Sequence, residues 1–159
     1  MTLDPKDFRD ATRAFAGCVS VLTAEHGGER SGLIVMSTLT LSADPPLMLA
    51  CVNTEGSAWP LITGAGAFGW SMLGADQAGV AQRFATAKGA DRLAGADWGT
   101  AETGAPLLTG AAAAFDCVVH EAIPKGAQAI LIGRVVAVRR NPGAGALLWW
   151  QGGFRPLPG

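Results

Sequence analysis

The stretch Ser31-Gly-Leu-Ile-Val-Met-Ser-Thr-Leu-Thr-Leu-Ser-Ala-Asp-Pro-Pro46, continuing as Leu-Met-Leu-Ala-Cys-Val-Asn53, decides the fold of this chain. In an extended segment successive side chains point to opposite faces, so Thr38, Thr40 and Ser42 share one face while Leu39 and Leu41 share the other. One face is predicted to be apolar and the other to offer hydroxyls to a ligand. Asp44-Pro45-Pro46 stops the strand, because proline cannot donate to a ladder and biases its predecessor toward extended or turn geometry. A second apolar run follows at once, so the text reads as two strands joined at a rigid corner.

Outward from this pair, the chain continues in β-like language. Residues 19–24 and 31–37 flank His26-Gly27-Gly28, a cluster suited to positive φ, and read as a hairpin. Asp4-Pro5 starts a helix over about residues 4–16, with Phe8, Ala11, Thr12 and Phe15 recurring at helical spacing. Ser57 is placed to cap a short helix through Ile62, after which residues 68–73 return as a strand. Residues 75–85 favour helix, and the polar, glycine-broken 88–98 reads as a long surface excursion. Extended runs at 107–123 and 129–139 are separated by Pro124-Lys125-Gly126, and residues 147–151 and 154–157 close the chain. Many antiparallel strands with few short helices predict a mainly β protein, a closed or half-closed barrel. No repeat or long linker divides it, so residues 1–159 form one domain.

Composition narrows the function. A chain of 159 residues with 49% hydrophobic and 16% charged residues is too apolar for a disordered tail, and its low charge hints at a subunit interface. Folding at this length buries roughly 70% of the unfolded chain's surface, enough for a real core. The net charge of −1 comes with scattered basic residues, which argues against nucleic acid and acidic membranes as partners. With no long apolar run and no basic leader, the expected location is the cytoplasm. Cys18, Cys51 and Cys117 lie far apart in apolar text and are predicted to be buried, reduced thiols.

Two histidines, in a turn and a strand, make neither a histidine-rich metal site nor a Ser-His-Asp triad. There is no P-loop and no strand-to-helix Gly-x-Gly-x-x-Gly. If the protein is an enzyme, its chemistry belongs to a bound cofactor that the chain must hold and orient.

Gly17-Cys-Val-Ser-Val-Leu-Thr23, Gly32-Leu33, Ser37, Ser42-Ala-Asp-Pro-Pro46, Cys51-Val-Asn53, Pro60-Leu-Ile62, Arg83-Phe84, Asp91-Arg92, Gly104-x-Pro106-x-Leu108 and Gly133-x-Val135 resemble, in order and spacing, the flavin reductase-like, FMN-binding split-barrel family. The resemblance covers about residues 8–157. It implies a six-stranded antiparallel Greek-key split barrel that dimerises with the flavin near the interface. It also implies an NAD(P)H:flavin oxidoreductase, passing hydride from nicotinamide C4 to flavin N5 and supplying reduced flavin to a partner monooxygenase. Such a step needs stacked rings and little acid–base help, so no catalytic residue is assigned.

Carried over position by position, Val35, Met36, Ser37 and Thr38 line the isoalloxazine of FMN (or FAD), and Cys51 is a further cofactor-binding position. Asn53 and Ser57 hold the ribityl phosphate end, the latter at a helix start whose free N–H groups favour an anion. Arg83 adds a charge-assisted bond, with Phe84 packed beneath it, although Arg83-Phe84 also reads as a helix end with a core phenylalanine. Gln128 stands where the family's Gly-Asp-His turn places a histidine by the nicotinamide of NADH or NADPH. Trp149 and Trp150 face opposite ways, so at most one stacks on a ring. The chain departs from the family pattern at Ile34-Val35-Met36, usually Thr-Ala-Ser, and at Thr54-Glu55, where a basic residue and a hydroxyl are usual. Those departures leave open a non-catalytic flavin- or haem-binding protein on the same barrel.

Overall fold

The computed structural model describes residues 2–159. Asp4 caps the first helix, α1 (Pro5–Thr12), by accepting the Lys6 N–H at 2.8 Å. The helix stops at Thr12 rather than near residue 16 and buries none of its side chains; Phe8 and Phe15 are 58% and 77% exposed. Its apolar stripe faces outward, and periodicity alone cannot tell a core-facing stripe from an unpartnered one.

Next come β1 (Gly17–Cys18), β2 (Ser20–His26), β3 (Glu29–Val35), β4 (Thr38–Ala43), β5 (Pro46–Asn53), α2 (Ala58–Ala65), β6 (Ala67–Met72), α3 (Ala78–Thr86), β7 (Trp98–Gly99) and β8 (Leu107–Leu108). The chain ends in β9 (Ala113–Lys125), β10 (Gln128–Arg140), β11 (Ala146–Trp150) and β12 (Gly153–Leu157). The fold is mainly β and antiparallel, as the text predicts. Its main sheet has seven strands rather than six, ordered β3-β2-β6-β9-β10-β5-β4, with β1-β11-β12 and β7-β8 as smaller sheets. The edge strands β3 and β4 do not pair with each other, so hydrogen bonds leave the barrel half-open.

The β3-β2-β6 half of the main sheet is covered on both faces, whereas β4 is exposed. Leu22, Leu33, Val35, Met48, Phe68, Trp70 and Leu131 fill one core, while Val19, Val21, Ala81, Phe84, Leu93 and Leu147 fill a second beneath α3 and the C-terminal strands. Strands buried on two faces read as continuous apolar runs, which is why residues 19–24 show little alternation. The second core requires glycine at position 32: a Cβ there would meet the Phe84 ring at 2.5 Å and the Leu22 carbonyl at 2.7 Å.

Three expectations about local structure are corrected. Residues 107–123 do not form one strand, because Gly110, at φ 76°, turns the chain between β8 and β9. Residues 88–98 are not a free excursion: a 3-10 turn (Gly89–Leu93) lies against β3, Leu93 is buried, and the Arg92 guanidinium donates to the carbonyls of Ala87 and Gly32. The three thiols differ, Cys117 being buried, Cys18 half-buried and Cys51 exposed. No described helix is long and apolar enough to cross a membrane.

Candidate active site

The hydroxyl-bearing strand of the opening stretch becomes β4, at the edge of the sheet. Its register against β5 slips between Thr40 and Ser42, and such a bulge breaks simple alternation. Thr38 and Thr40 line a cleft, Ser42 does not, and Leu39 joins them on the cleft wall. The apolar face predicted for Leu39 and Leu41 is not buried, the two side chains being 53% and 46% exposed.

That cleft has a volume of about 850 Å³ and opens where β3 passes into β4. It gathers Met36, Ser37, Thr38 and Cys51 of the predicted site. Met48, Met72 and Trp70 also line it, with Cys18, Phe15 and Trp149 around them. No charged side chain lines it, and all three described methionines do. Thioether side chains make adaptable apolar walls, and the hydroxyls of Ser37, Thr38 and Thr40 supply a few polar contacts, the usual make-up of a small-molecule site. Trp149 is held by an edge-to-face contact with Phe154 at 5.1 Å, while Trp150 on the opposite face is 44% exposed.

A second cleft, of about 570 Å³, lies at the other end of β3 and is lined by Glu25, Glu29, Arg30, Ser31, Ser57 and Gly89, among others. Ser57 does not cap α2 through its side chain as predicted. Its hydroxyl lies 2.8 Å from that of Ser31, which also bonds the Gly89 carbonyl; in the first turn of α2 the Trp59 N–H donates to the Gly56 carbonyl at 3.2 Å and Pro60 has no N–H to offer.

The remaining predicted residues line neither cleft. The Val35 side chain is in the core, 4% exposed. Phe84 is 1% exposed and packs at 5.9 Å from the Trp98 ring, while Arg83 is exposed on α3. Asn53 accepts the Glu55 N–H at 2.8 Å and sits directly across the β5–β10 ladder from Gln128, both exposed. So the structure brings Asn53 and Gln128 together, but apart from the two clefts. Sequence reasoning missed Met48, Met72 and Trp70. Their signal was alternation in β5 and β6, which puts Met48 with Ala50 and Trp70 with Met72 on inward faces, but it marks a cleft only once the sheet's curvature is known.

Among the described residues no three His, Cys, Asp or Glu side chains are grouped to hold a metal ion. Burial, with a smaller contribution from the neighbouring Asp116 charge, pushes the Cys117 thiol from 9.0 up to about 12. Asp116 itself is buried and satisfied by the Thr103 backbone N–H at 2.7 Å and the Thr103 hydroxyl, pinning the loop before β8.

The chain is 37% identical over 152 residues to an FMN reductase (NADH), RutF 2, of Methylorubrum extorquens, covering 95% of this chain and 88% of that one. The NADH:FAD oxidoreductase SgcE6 of Streptomyces globisporus, solved with NAD and FAD fragments, superposes with a TM-score of 0.88 at 32% identity, covering 99% of this chain and 96% of the other. BorF, the flavin reductase component of a bacterial two-component tryptophan halogenase, gives a TM-score of 0.88 at 32% identity over 98% and 99% of the two chains. The model of the flavin reductase like domain matches residues 12–158, nearly the whole folded chain and both clefts, and the chain therefore belongs to that family.

Proposed function

We propose that this protein is an NADH-dependent flavin reductase that takes FMN, or FAD, into the larger cleft. The observation that carries the reading is the uncharged, thioether- and aromatic-lined cleft that gathers Met36, Ser37, Thr38 and Cys51. A flat, largely apolar ring system with a polar edge fits its volume and its few hydroxyls. The bound flavin supplies the electron-accepting ring; the chain's own residues hold it flat, leave one face free for the nicotinamide and exclude water.

The smaller cleft suits the phosphorylated side chain of the flavin. β3 connects the two sites, and the five residue steps from Ser31 to Met36 span roughly 16 Å of strand, comparable to an extended flavin mononucleotide. Ser31, Ser57 and Arg30 would receive the anion, with Glu25 and Glu29 opposing it.

A second copy of the chain is the proposed cover for the open barrel edge. Leu39 and Phe15 line the larger cleft and are exposed, and Leu41 and Phe8 are exposed as well. Reduced flavin would leave for a partner oxygenase, in the manner of two-component systems, and free thiols and NADH use suit the cytoplasm. The test is to incubate the purified protein with NADH and FMN and follow the nicotinamide absorbance. Oxidation well above the free-flavin background is expected, and its absence overturns the reading.

A further inference from the structure

The smaller cleft carries more negative than positive charge. β3 is an edge strand, and residues from both of its faces line this cleft, which therefore bends around the open edge. Side chains alternate along a strand, so Glu29 shares a face with Ser31 and its hydroxyl partner Ser57. Arg30 shares the other face with Glu25, which stands directly opposite it in the β2–β3 ladder. All three charged side chains are exposed. Among the described residues, ion pairs within 4 Å join Asp10 to Lys6 and to Arg13 only. Neither glutamate is therefore neutralised by a partner, and Arg30 is committed to no carboxylate. A phosphate group, close to a dianion at neutral pH, would meet one guanidinium and two carboxylates here. Glutamine at position 25 or 29 would keep the size of the side chain and remove the repulsion.

We propose that Glu25 and Glu29 set how long flavin stays bound. They hold the phosphate of FMN loosely enough that flavin arrives oxidised, takes a hydride from NADH and a proton from water, and departs reduced as a diffusing substrate. Glu29 acts by direct repulsion beside the two hydroxyls. Glu25, opposite Arg30, competes with the phosphate for the guanidinium and turns to it as the phosphate leaves. The inference rests on the flavin reductase reading and on its placing the flavin phosphate in the smaller cleft.

Fluorescence titration and stopped-flow dissociation of FMN and riboflavin test this with the wild type, Glu25→Gln, Glu29→Gln, the double variant and Arg30→Gln. Because the substituted side chains are exposed, all of these variants should fold. Each single glutamine variant should bind FMN about threefold more tightly and the double variant about tenfold, chiefly through slower dissociation. Riboflavin, which lacks the phosphate, should change by less than about twofold. The gain should shrink in salt of about 1 M, where charges are screened within about 3 Å. Arg30→Gln should weaken FMN about fivefold and leave riboflavin alone. If Arg30→Gln behaves in that way but the double variant binds and releases FMN like the wild type, the inference is overturned while the phosphate keeps its place. An equal gain for FMN and riboflavin overturns it too, because phosphate repulsion would not be the cause. Unchanged FMN binding in Arg30→Gln overturns the placement of the phosphate, and a wild type that binds neither flavin overturns the flavin reductase reading itself.

Discussion

The two ends of β3 open on clefts of opposite character. At its start, Ser31 and Ser57 share a hydroxyl pair beside Arg30, Glu25 and Glu29; past its end, Met36, Met48 and Met72 line a larger space without a single charged side chain. The contrast separates two tasks on one scaffold. An apolar ring is held by area and shape, which a soft wall supplies cheaply, whereas an anion needs oriented donors and must tolerate nearby carboxylates. Affinity should therefore reside mainly in the larger cleft, with the smaller one discriminating phosphorylated from unphosphorylated flavins.

Cys51→Trp breaks the comparison most directly. The position is exposed on β5, so the fold should survive, but the cleft fills; FMN and riboflavin binding should both fall about a hundredfold, roughly 2.8 kcal/mol, by titration. Gly32→Ala attacks the strand joining the clefts, forcing a methyl group against Phe84 and the Leu22 carbonyl. Denaturant unfolding should show a loss of about 2 kcal/mol, with both flavins affected alike. Ser57→Asp places like charge at the smaller cleft alone: FMN affinity should drop about tenfold while riboflavin changes by less than about twofold. Equal losses for the two flavins would show that the clefts do not divide the ligand in this way.

The thiols provide a finer comparison between cleft and core. Saturating FMN should slow alkylation of the exposed Cys51, followed by mass spectrometry, while Cys117 stays unreactive at pH 8 with or without ligand. Cys117 also sets a pH limit. Its folded pKa of about 12 exceeds the ordinary 9.0, so the folded state keeps a proton that the unfolded chain releases. Its contribution to stability is fully present below pH 9 and declines as pH rises toward 12, approaching about 1 kcal/mol per pH unit near pH 10–11. Cys117→Ala should flatten that decline in urea titrations taken at successive pH values.

The hairpins at Gly27-Gly28, Asp44-Pro45 and around Gly126 were legible because their turns depend on local backbone chemistry, although Pro124 and Lys125, read as part of the last turn, lie in β9. The site was legible in part. Met36, Ser37, Thr38 and Cys51 meet at one cleft, but Phe84 went to the core and Ser57 traded its cap for Ser31. Neither outcome has a local signature: a phenylalanine on a helix looks the same whether it faces a ligand or a second core, and a hydroxyl chooses among partners only when distant strands arrive.

Alternation, proline corners and glycine turns by themselves determined a mainly β, antiparallel chain, because those preferences act over a few neighbouring residues. Tertiary structure decided which of the alternating faces became wall, core or open surface. A one-residue slip at β4 withdrew Ser42 from the cleft, and sheet curvature brought Met48, Met72 and Trp70 to it. Those placements depend on register and packing across strands far apart in the chain, where no local preference reaches.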